Sequence, residues 1–221
     1  MIDTHIHLDE EAYAPDREEM ILRQRESGVE AMLIPGVNAS SVGPILDLST
    51  TFTGLCYPAL GFHPQEVKED WKAQWTLIEA AIREHRDKLV AIGEIGLDYY
   101  WDTTFKAEQQ ELLRLQLALA QELNLPVMIH NREATEDTLR ILREAQMSNV
   151  KSQISNPSVV SSIASTAAER QRSRSWIWGS IWELEVSSPS RIANSPTHSQ
   201  ATNVLHPFLW NAWFWRQMAR I

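Results

Sequence analysis

The chain has 221 residues, a formal net charge of −9 and one cysteine, Cys56, which excludes an internal disulfide and is typical of a reducing compartment. The negative charge argues against broad electrostatic binding to nucleic acid, although a metal site can neutralise phosphate locally. The start has no basic segment before an apolar one, and no run of about eighteen apolar residues occurs. The sequence therefore predicts a cytoplasmic protein that does not insert into a membrane.

The first eight residues predict a β-strand that carries two histidines. Side chains two apart leave the same face of a strand, so His5 and His7 project together, while Ile2, Ile6 and Leu8 supply apolar contacts. Neutral imidazole is a common ligand for Zn, Mn, Fe or Ni. The pair indicates a metal site, and a strand that merely happens to contain two histidines is the alternative.

Strands and helices alternate from this point to about residue 147. A polar helix ends at Gly28, and glycine is the preferred residue just past a helix. The predicted strands cover residues 1–8, 31–34, 55–60, 89–95 and 126–129. The predicted helices cover residues 15–27, 40–48, 71–86, 106–124 and 133–145. The helix over residues 106–124 has the clearest pattern, with one face formed by Leu112, Leu115, Leu119 and Leu123.

Five nearly apolar strands, each followed by a helix, predict an α/β fold with a parallel sheet covered by helices. An open doubly wound sheet and a closed TIM-type (β/α)8 barrel both fit this pattern. The barrel is favoured because polar residues lie at or near the carboxyl ends of strands, where such barrels build their sites, and because no glycine-rich phosphate loop follows the first strand. These polar residues are His5, His7, His63, Glu94 and His130.

Residues 93–100 form a motif in which glycines flank Glu94. The glycines are interpreted as letting the backbone crowd a bound group, and a carboxylate can bridge two cations, which a neutral histidine cannot do. A strand-to-loop turn in which Glu94 pairs with an arginine is the alternative. Cys56 lies in an apolar run with no histidine or other base beside it, so the sequence predicts a buried and unreactive thiol.

Residues 127–133 form a second motif, an apolar strand that ends on His130 and is followed closely by Arg132. Arginine is suited to holding an anion such as phosphate. A single histidine at a strand end is more often a core residue with satisfied hydrogen bonds, and His63 is ambiguous between an anion contact and a loop residue. Neither residues 127–133 nor His63 identifies a functional site by itself.

Taken in order, residues 3–7, 61–64, 93–99 and 129–132 resemble the motifs of the TatD family of metal-dependent hydrolases, which are deoxyribonucleases within the amidohydrolase-like barrel group. The resemblance implies two divalent ions (Mg, Mn or Zn) and hydrolysis of a phosphodiester in DNA, as by a 3'-5' exonuclease. The metal ligands that it implies are His5, His7, Glu94 and His130. Glu94 would bridge the ions, Glu94 and His130 would be catalytic, and His63 and Arg132 would contact substrate phosphate.

The composition changes near Met147. Residues 1–147 hold 26 of the 29 acidic residues and 4 of the 19 serines, whereas residues 148–221 hold 3 acidic residues, no aspartate and 15 serines. The His-Cys-Phe and Glu-Thr-Asp strand ends that such a family member shows next do not occur there. The sequence thus predicts a partial barrel of about five strand-helix units over residues 1–147 and an irregular, poorly folded tail over residues 148–221.

Translation in a shifted reading frame explains this change. In the shifted frame, each codon consists of the last base of one original codon and the first two bases of the next. This frame allows His-Cys-Phe across residues 162–165, Gly-Phe-Tyr within residues 175–183 and Glu-Thr-Asp within residues 210–220. The expected function is hence a TatD-type deoxyribonuclease with DNA as its partner and impaired activity. The alternatives are a non-enzymatic truncated product with residual metal binding, or an amidohydrolase-like enzyme that acts on a small amide or ester.

Overall fold

The computed structural model describes residues 1–151, 160–164 and 182–183, all of which belong to one compact unit, Met1–Val186. Its strands are β1 (Ile2–Asp3), β2 (Ala31–Pro35), β3 (Cys56–Leu60), β4 (Ala91–Asp98), β5 (Val127–Arg132), β6 (Val160–Ala164) and β7 (Trp182–Glu183). Its α-helices are α1 (Arg17–Glu26), α2 (Val42–Thr51), α3 (Trp71–Glu84), α4 (Lys106–Leu123) and α5 (Thr135–Lys151). Short 3-10 turns occupy Glu11–Tyr13, Ala39–Ser41 and Pro64–Glu66.

All seven strands pair in parallel, and their order in the sheet is their order in the sequence. A doubly wound sheet would reverse its strand order at a switch point, whereas sequential order is that of a barrel. Among the described residues no pairing joins β7 back to β1, so this part of the sheet is an incomplete barrel. The α/β barrel and its five strand-helix units are confirmed, and β6 and β7 continue the sheet from residues predicted to lie in the tail.

The first strand is shorter than its sequence predicts. β1 ends at Asp3, because the Asp3 carboxylate accepts the backbone N–H of His5 at 3.1 Å and so removes that donor from the sheet. The following residues stay close to β2, since the backbone N–H of Ile6 donates to Leu33 at 3.2 Å. His5 and His7 consequently leave from a segment beyond the strand rather than from the strand itself.

The buried face of α4 differs from the leucine face predicted for it. Leu112 and Leu119 are buried, but Leu115 is 41% exposed. Two buried glutamines complete the face instead. Gln116 exchanges two hydrogen bonds with the backbone of Phe62, at 2.8 and 3.2 Å, and Gln109 accepts the backbone N–H of Asp98 at 3.0 Å. A prediction that counts only apolar residues misses this face. Its two glutamines can be buried because they form hydrogen bonds with the backbone near the carboxyl ends of β3 and β4.

Cys56 is 2% exposed in β3, and burial raises the pKa of its thiol to about 12. The predicted buried strand position is confirmed. None of the helices in the described part of the chain combines the length and the apolar character that a membrane span requires.

Candidate metal centre

Imidazole and carboxylate groups meet at the carboxyl-end edge of the sheet. His5 and His7 follow β1, His63 follows β3, Glu94 lies within β4 and His130 within β5. The side chain of Glu94 is almost fully buried, and all four imidazoles approach it within 3.8 Å. The structure therefore brings together the four predicted metal ligands and His63.

Glycines of β4 allow this convergence by admitting the neighbouring strand. A Cβ atom built on Gly93 would lie 2.5 Å from the Cβ of Met128, and one built on Gly96 would overlap the backbone oxygen of His130. The interpretation that these glycines make room for a bound group is wrong, because the backbone and side chains of β5 fill that space. Their effect is to set His130 beside Glu94.

His5, His7 and Glu94 form the first group of possible ligands. The two Nε2 atoms lie 3.0 Å apart, and they lie 3.3 and 3.5 Å from Oε2 of Glu94. Ligand atoms bound about 2.0 to 2.2 Å from one ion, at tetrahedral or octahedral angles, are roughly 2.8 to 3.6 Å apart. The spacing and the chemistry of these three donors thus fit a single divalent cation.

His63, Glu94 and His130 form a second group, whose possible ligand atoms all lie within 4.8 Å of one another. Nδ1 of His130 lies 3.1 Å from Oε1 of Glu94, the oxygen that does not face His5 and His7. The carboxylate of Glu94 belongs to both groups, as the predicted bridging role requires.

The tautomer of His63 distinguishes it from the other imidazoles. Its Nδ1 accepts the backbone N–H of Gln65 at 3.2 Å, so the neutral ring carries its proton on Nε2, which faces Glu94 at 3.8 Å. Burial lowers the pKa of His63 to about 4, and the ring is neutral at pH 7. In this form Nε2 is a hydrogen-bond donor and has no lone pair for a cation, so in the second group only Glu94 and His130 have atoms free to bind one.

His130 lies between two carboxylates. Its Nδ1 faces Glu94 at 3.1 Å and its Nε2 faces Oδ2 of Asp98 at 2.9 Å. Burial acts to lower the pKa of His130, but the bonds to Asp98 and Glu94 outweigh it and raise the pKa to about 9. A cation that binds Nδ1 at neutral pH must therefore displace a proton.

Asp98 is the member of the site that sequence reasoning missed. It is 2% exposed and also accepts the side-chain N–H of Gln65 at 2.8 Å and the backbone N–H of Tyr100 at 3.0 Å. The predicted strand ended at residue 95, whereas β4 continues to Asp98. The sequence does contain a signal for Asp98. It lies four residues after Glu94, and strand residues four apart project from the same face.

The pKa values of Glu94, His5 and His7 are also shifted by burial and by their charged neighbours. Burial acts to raise the pKa of Glu94, but hydrogen bonds from His130 and His7 and the nearby imidazoles hold it well below its usual value. Burial lowers the pKa of His5. For His7 the contacts with Glu94, together with nearby acidic groups, overcome burial and raise the pKa. The buried carboxylate thus stays charged and attracts positive charge to the centre of the group.

Arg132 occupies a different position from these residues. Its guanidinium lies over the ring of Tyr100, 3.8 Å from the ring centroid, and 5.1 Å from that of Trp101. In the part of the chain that the structure describes, its side-chain N–H donors have no hydrogen-bond or ion-pair partner.

A family model described as TatD related DNase matches residues 2–166. The chain belongs to the TatD family. Its relatives include YabD of Bacillus subtilis, an uncharacterized metal-dependent hydrolase, which is 40% identical over 144 residues, or 65% of this chain and 55% of that protein. The 3'-5' ssDNA/RNA exonuclease TatD of Pantoea ananatis is 38% identical over 142 residues, or 64% of this chain and 54% of that protein.

Among solved structures, the TatD homologue YjjV of Escherichia coli K12 aligns with a TM-score of 0.62 and 31% identity, covering 67% of this chain and 57% of that one. The curated relatives are named as metal-dependent hydrolases, exonucleases and putative deoxyribonucleases, and the fold of the TatD homologue agrees with the incomplete barrel seen here. The chain spans about half the length of the curated relatives that it matches.

Proposed function

We propose that this TatD-family chain derives from a nuclease that holds two divalent cations, Mg, Mn or Zn, and hydrolyses phosphodiester bonds of DNA from the 3' end. The observation that carries the proposal is the carboxylate of Glu94, which is shared by two groups of possible ligands. Bridged pairs of cations are typical of phosphodiester hydrolysis. The Pantoea ananatis relative is named a 3'-5' ssDNA/RNA exonuclease, which supports the substrate and the polarity.

In this proposal His5, His7 and Glu94 hold one cation, and Glu94 and His130 contribute to the second. Divalent ions held there would lower the pKa of a bound water and stabilise the oxygens of the displacement. The protein's own part is to hold the imidazoles in one orientation and to keep Glu94 ionised. Asp98 supports that orientation by accepting the Nε2 proton of His130, which leaves Nδ1 to face the second cation.

His63 and Arg132 are proposed to bind the substrate phosphate. His63 presents the N–H of a neutral ring towards the centre, a geometry suited to donating to a phosphate oxygen. Arg132 has a planar set of donors without partners in the described part of the chain, and arginine binds phosphate through two parallel hydrogen bonds. Arg132 would also compensate the charge of a substrate that approaches a protein of net charge −9.

The full chain tests this proposal through metal binding and DNA cleavage. Calorimetric titration with Mn²⁺ is expected to show binding that His5→Ala and His130→Ala each weaken about tenfold or more. His85→Ala, which changes the histidine at the end of α3, should bind as the wild type does. Any release of nucleotides from labelled single-stranded DNA should begin at the 3' end and stop with EDTA. Cleavage that persists in EDTA, or unchanged Mn²⁺ binding in His5→Ala, would contradict the proposal.

Asp98→Asn gives a more selective prediction. The amide keeps the size of the side chain but lacks the charge that holds the Nε2 proton of His130, so we expect Mn²⁺ affinity to fall about 10- to 100-fold. In the wild type, affinity should rise with pH towards about 9, because His130 binds a cation only after releasing a proton. This rise should flatten in Asp98→Asn, and Asp47→Asn on α2 is the matched control. Equal affinities and equal pH profiles would show that Asp98 does not position His130.

A further inference from the structure

Two neighbouring aromatic side chains stand exposed shortly after Asp98, the residue that contacts His130 of the metal centre. Tyr100 and Trp101 lie two and three residues after the end of β4, and they are 53% and 68% exposed. Their rings meet edge to face, with centroids 4.7 Å apart. They are the only aromatic members among the large apolar side chains that are exposed in the described part of the chain. Exposed aromatic rings close to a proposed metal centre suggest a surface that a ligand covers.

Arg132 adds a flat cationic group to this pair. Its guanidinium stacks on Tyr100 and reaches Trp101, while its donors have no other partner among the described residues. The contact therefore holds the guanidinium plane in place and leaves its hydrogen-bonding edge open. Tyr100, Trp101 and Arg132 together form a surface, here called the aromatic platform, with planar faces and one phosphate-binding edge.

A cavity of about 340 Å³ adjoins the aromatic platform, and this volume is at the lower end of the range for small-ligand sites. Its walls include Trp101, Phe105, Pro64 and the side chain of Asp98. Asp98 also contacts His130, so one residue separates the cavity from the metal centre. A group seated in the cavity would thus be next to a phosphate held at the ions.

The charges of the cavity favour a neutral, planar occupant. Its lining includes two carboxylates, Asp98 and Asp102, against one cation, Lys68, and this balance repels a phosphate group. Arg132 lies outside that lining, where it can bind a phosphate. A nucleobase meets these conditions, because it is uncharged, stacks on aromatic rings and remains attached to a phosphate.

We propose that the aromatic platform stacks one nucleobase of a single-stranded nucleic acid, with Arg132 on the adjacent phosphate. This inference rests on the proposed nuclease function and specifies how its substrate is held. A base inside a duplex has both faces covered by its neighbours, so the platform should favour single strands. A protein partner fits less well, since a stable interface needs about 800 Å² from each side and two side chains supply only a fraction of that area.

The test measures binding separately from cleavage. A fluorescein-labelled twelve-residue oligothymidylate and an abasic oligomer of the same length are titrated with the full chain in EDTA, and anisotropy reports binding. Because stacking on an aromatic ring is worth about 1 to 3 kcal/mol per base, we expect Trp101→Ala to weaken oligothymidylate binding about tenfold. Binding of the abasic oligomer should not change. Trp101→Phe should restore part of the loss, and Leu77→Ala, which removes an equally exposed side chain from α3, should have no effect.

The outcomes separate the aromatic platform from the nuclease proposal. Wild-type binding that is undetectable or equal for the two oligomers, or equal losses for both oligomers in Trp101→Ala, would overturn the platform. Metal-dependent DNA cleavage alongside such a result would leave the nuclease proposal standing. Conversely, base-dependent binding that Trp101→Ala removes, in a protein whose frame-corrected form cleaves no DNA with any divalent cation, would support the platform and reject the nuclease.

Discussion

Glu94→Gln is expected to weaken the binding of divalent cations at least about 100-fold and to remove metal-dependent DNA cleavage. The amide has the same size as the carboxylate, but it carries no charge and cannot bridge two cations. Both groups of possible ligands contain Glu94, so a single substitution affects both ions. Calorimetry with Mn²⁺ measures the first effect, and nucleotide release with Mg²⁺ or Mn²⁺ measures the second.

Glu84→Gln at the exposed end of α3 is the matched control for charge. We expect it to bind Mn²⁺ as the wild type does. If Glu94→Gln keeps the wild-type affinity, then the four imidazoles do not surround a metal site. If it loses only half of the bound metal, Glu94 holds one ion without bridging.

A chain whose reading frame is corrected near residue 150, between residues 146 and about 158, is expected to cleave DNA at least about 100 times faster than the chain as given. The family pattern supplies a further His and a further Asp to the site, and neither appears in this sequence at the positions where the pattern needs them. Losing one ligand from a two-metal site weakens metal binding and misplaces the attacking water. The two rates are compared with Mg²⁺ or Mn²⁺ under identical conditions.

The lengths of the matched segments and the strands after residue 151 bear on the frame proposal. Alignments with curated relatives cover about 65% of the chain, which corresponds to 144 residues for YabD. The strand β6, at Val160–Ala164, pairs with β5 in the chain as given, so residues predicted to form an irregular tail extend the sheet, while the family model matches as far as residue 166. The control is His5→Ala in the corrected chain, which should remove the gained activity. Equal and robust rates for the two chains would show that residues 148–221 supply ligands of their own.

The alternation of strands and helices could be predicted from the sequence, because each element is specified by nearby residues. A buried parallel strand needs a short apolar run, and a helix packed on it needs an apolar face at a spacing of three to four residues. Local order also places His63, Glu94 and His130 at or near strand ends, and the strands of a parallel sheet all end at the same edge. The convergence of these three side chains with His5 and His7 follows from that topology.

Other features depend on contacts between residues far apart in the sequence. Asp98 orients His130 from 32 residues away, and Gln116 bonds to Phe62 across 54 residues. Neither contact can be predicted from the nearby sequence, because a hydrogen bond between two elements requires only one polar group on each and no repeated spacing of residues. The same holds for Arg132 on Tyr100, which brings together the ends of β5 and β4.

The features that the sequence determined depend on residues near one another in the chain, and those that only the tertiary structure decided depend on residues far apart in it. Periodicity and strand-end positions are local, so the sequence by itself determined the fold class and the set of residues that could bind metal. Which oxygen faces which nitrogen is decided only when β4 and β5 pack closely at Gly93 and Gly96. That packing shares Glu94 between two groups, while the bond from Gln65 sets the proton of His63 on the side that faces the site. Both depend on interatomic distances of about 3 Å, which only a folded backbone sets.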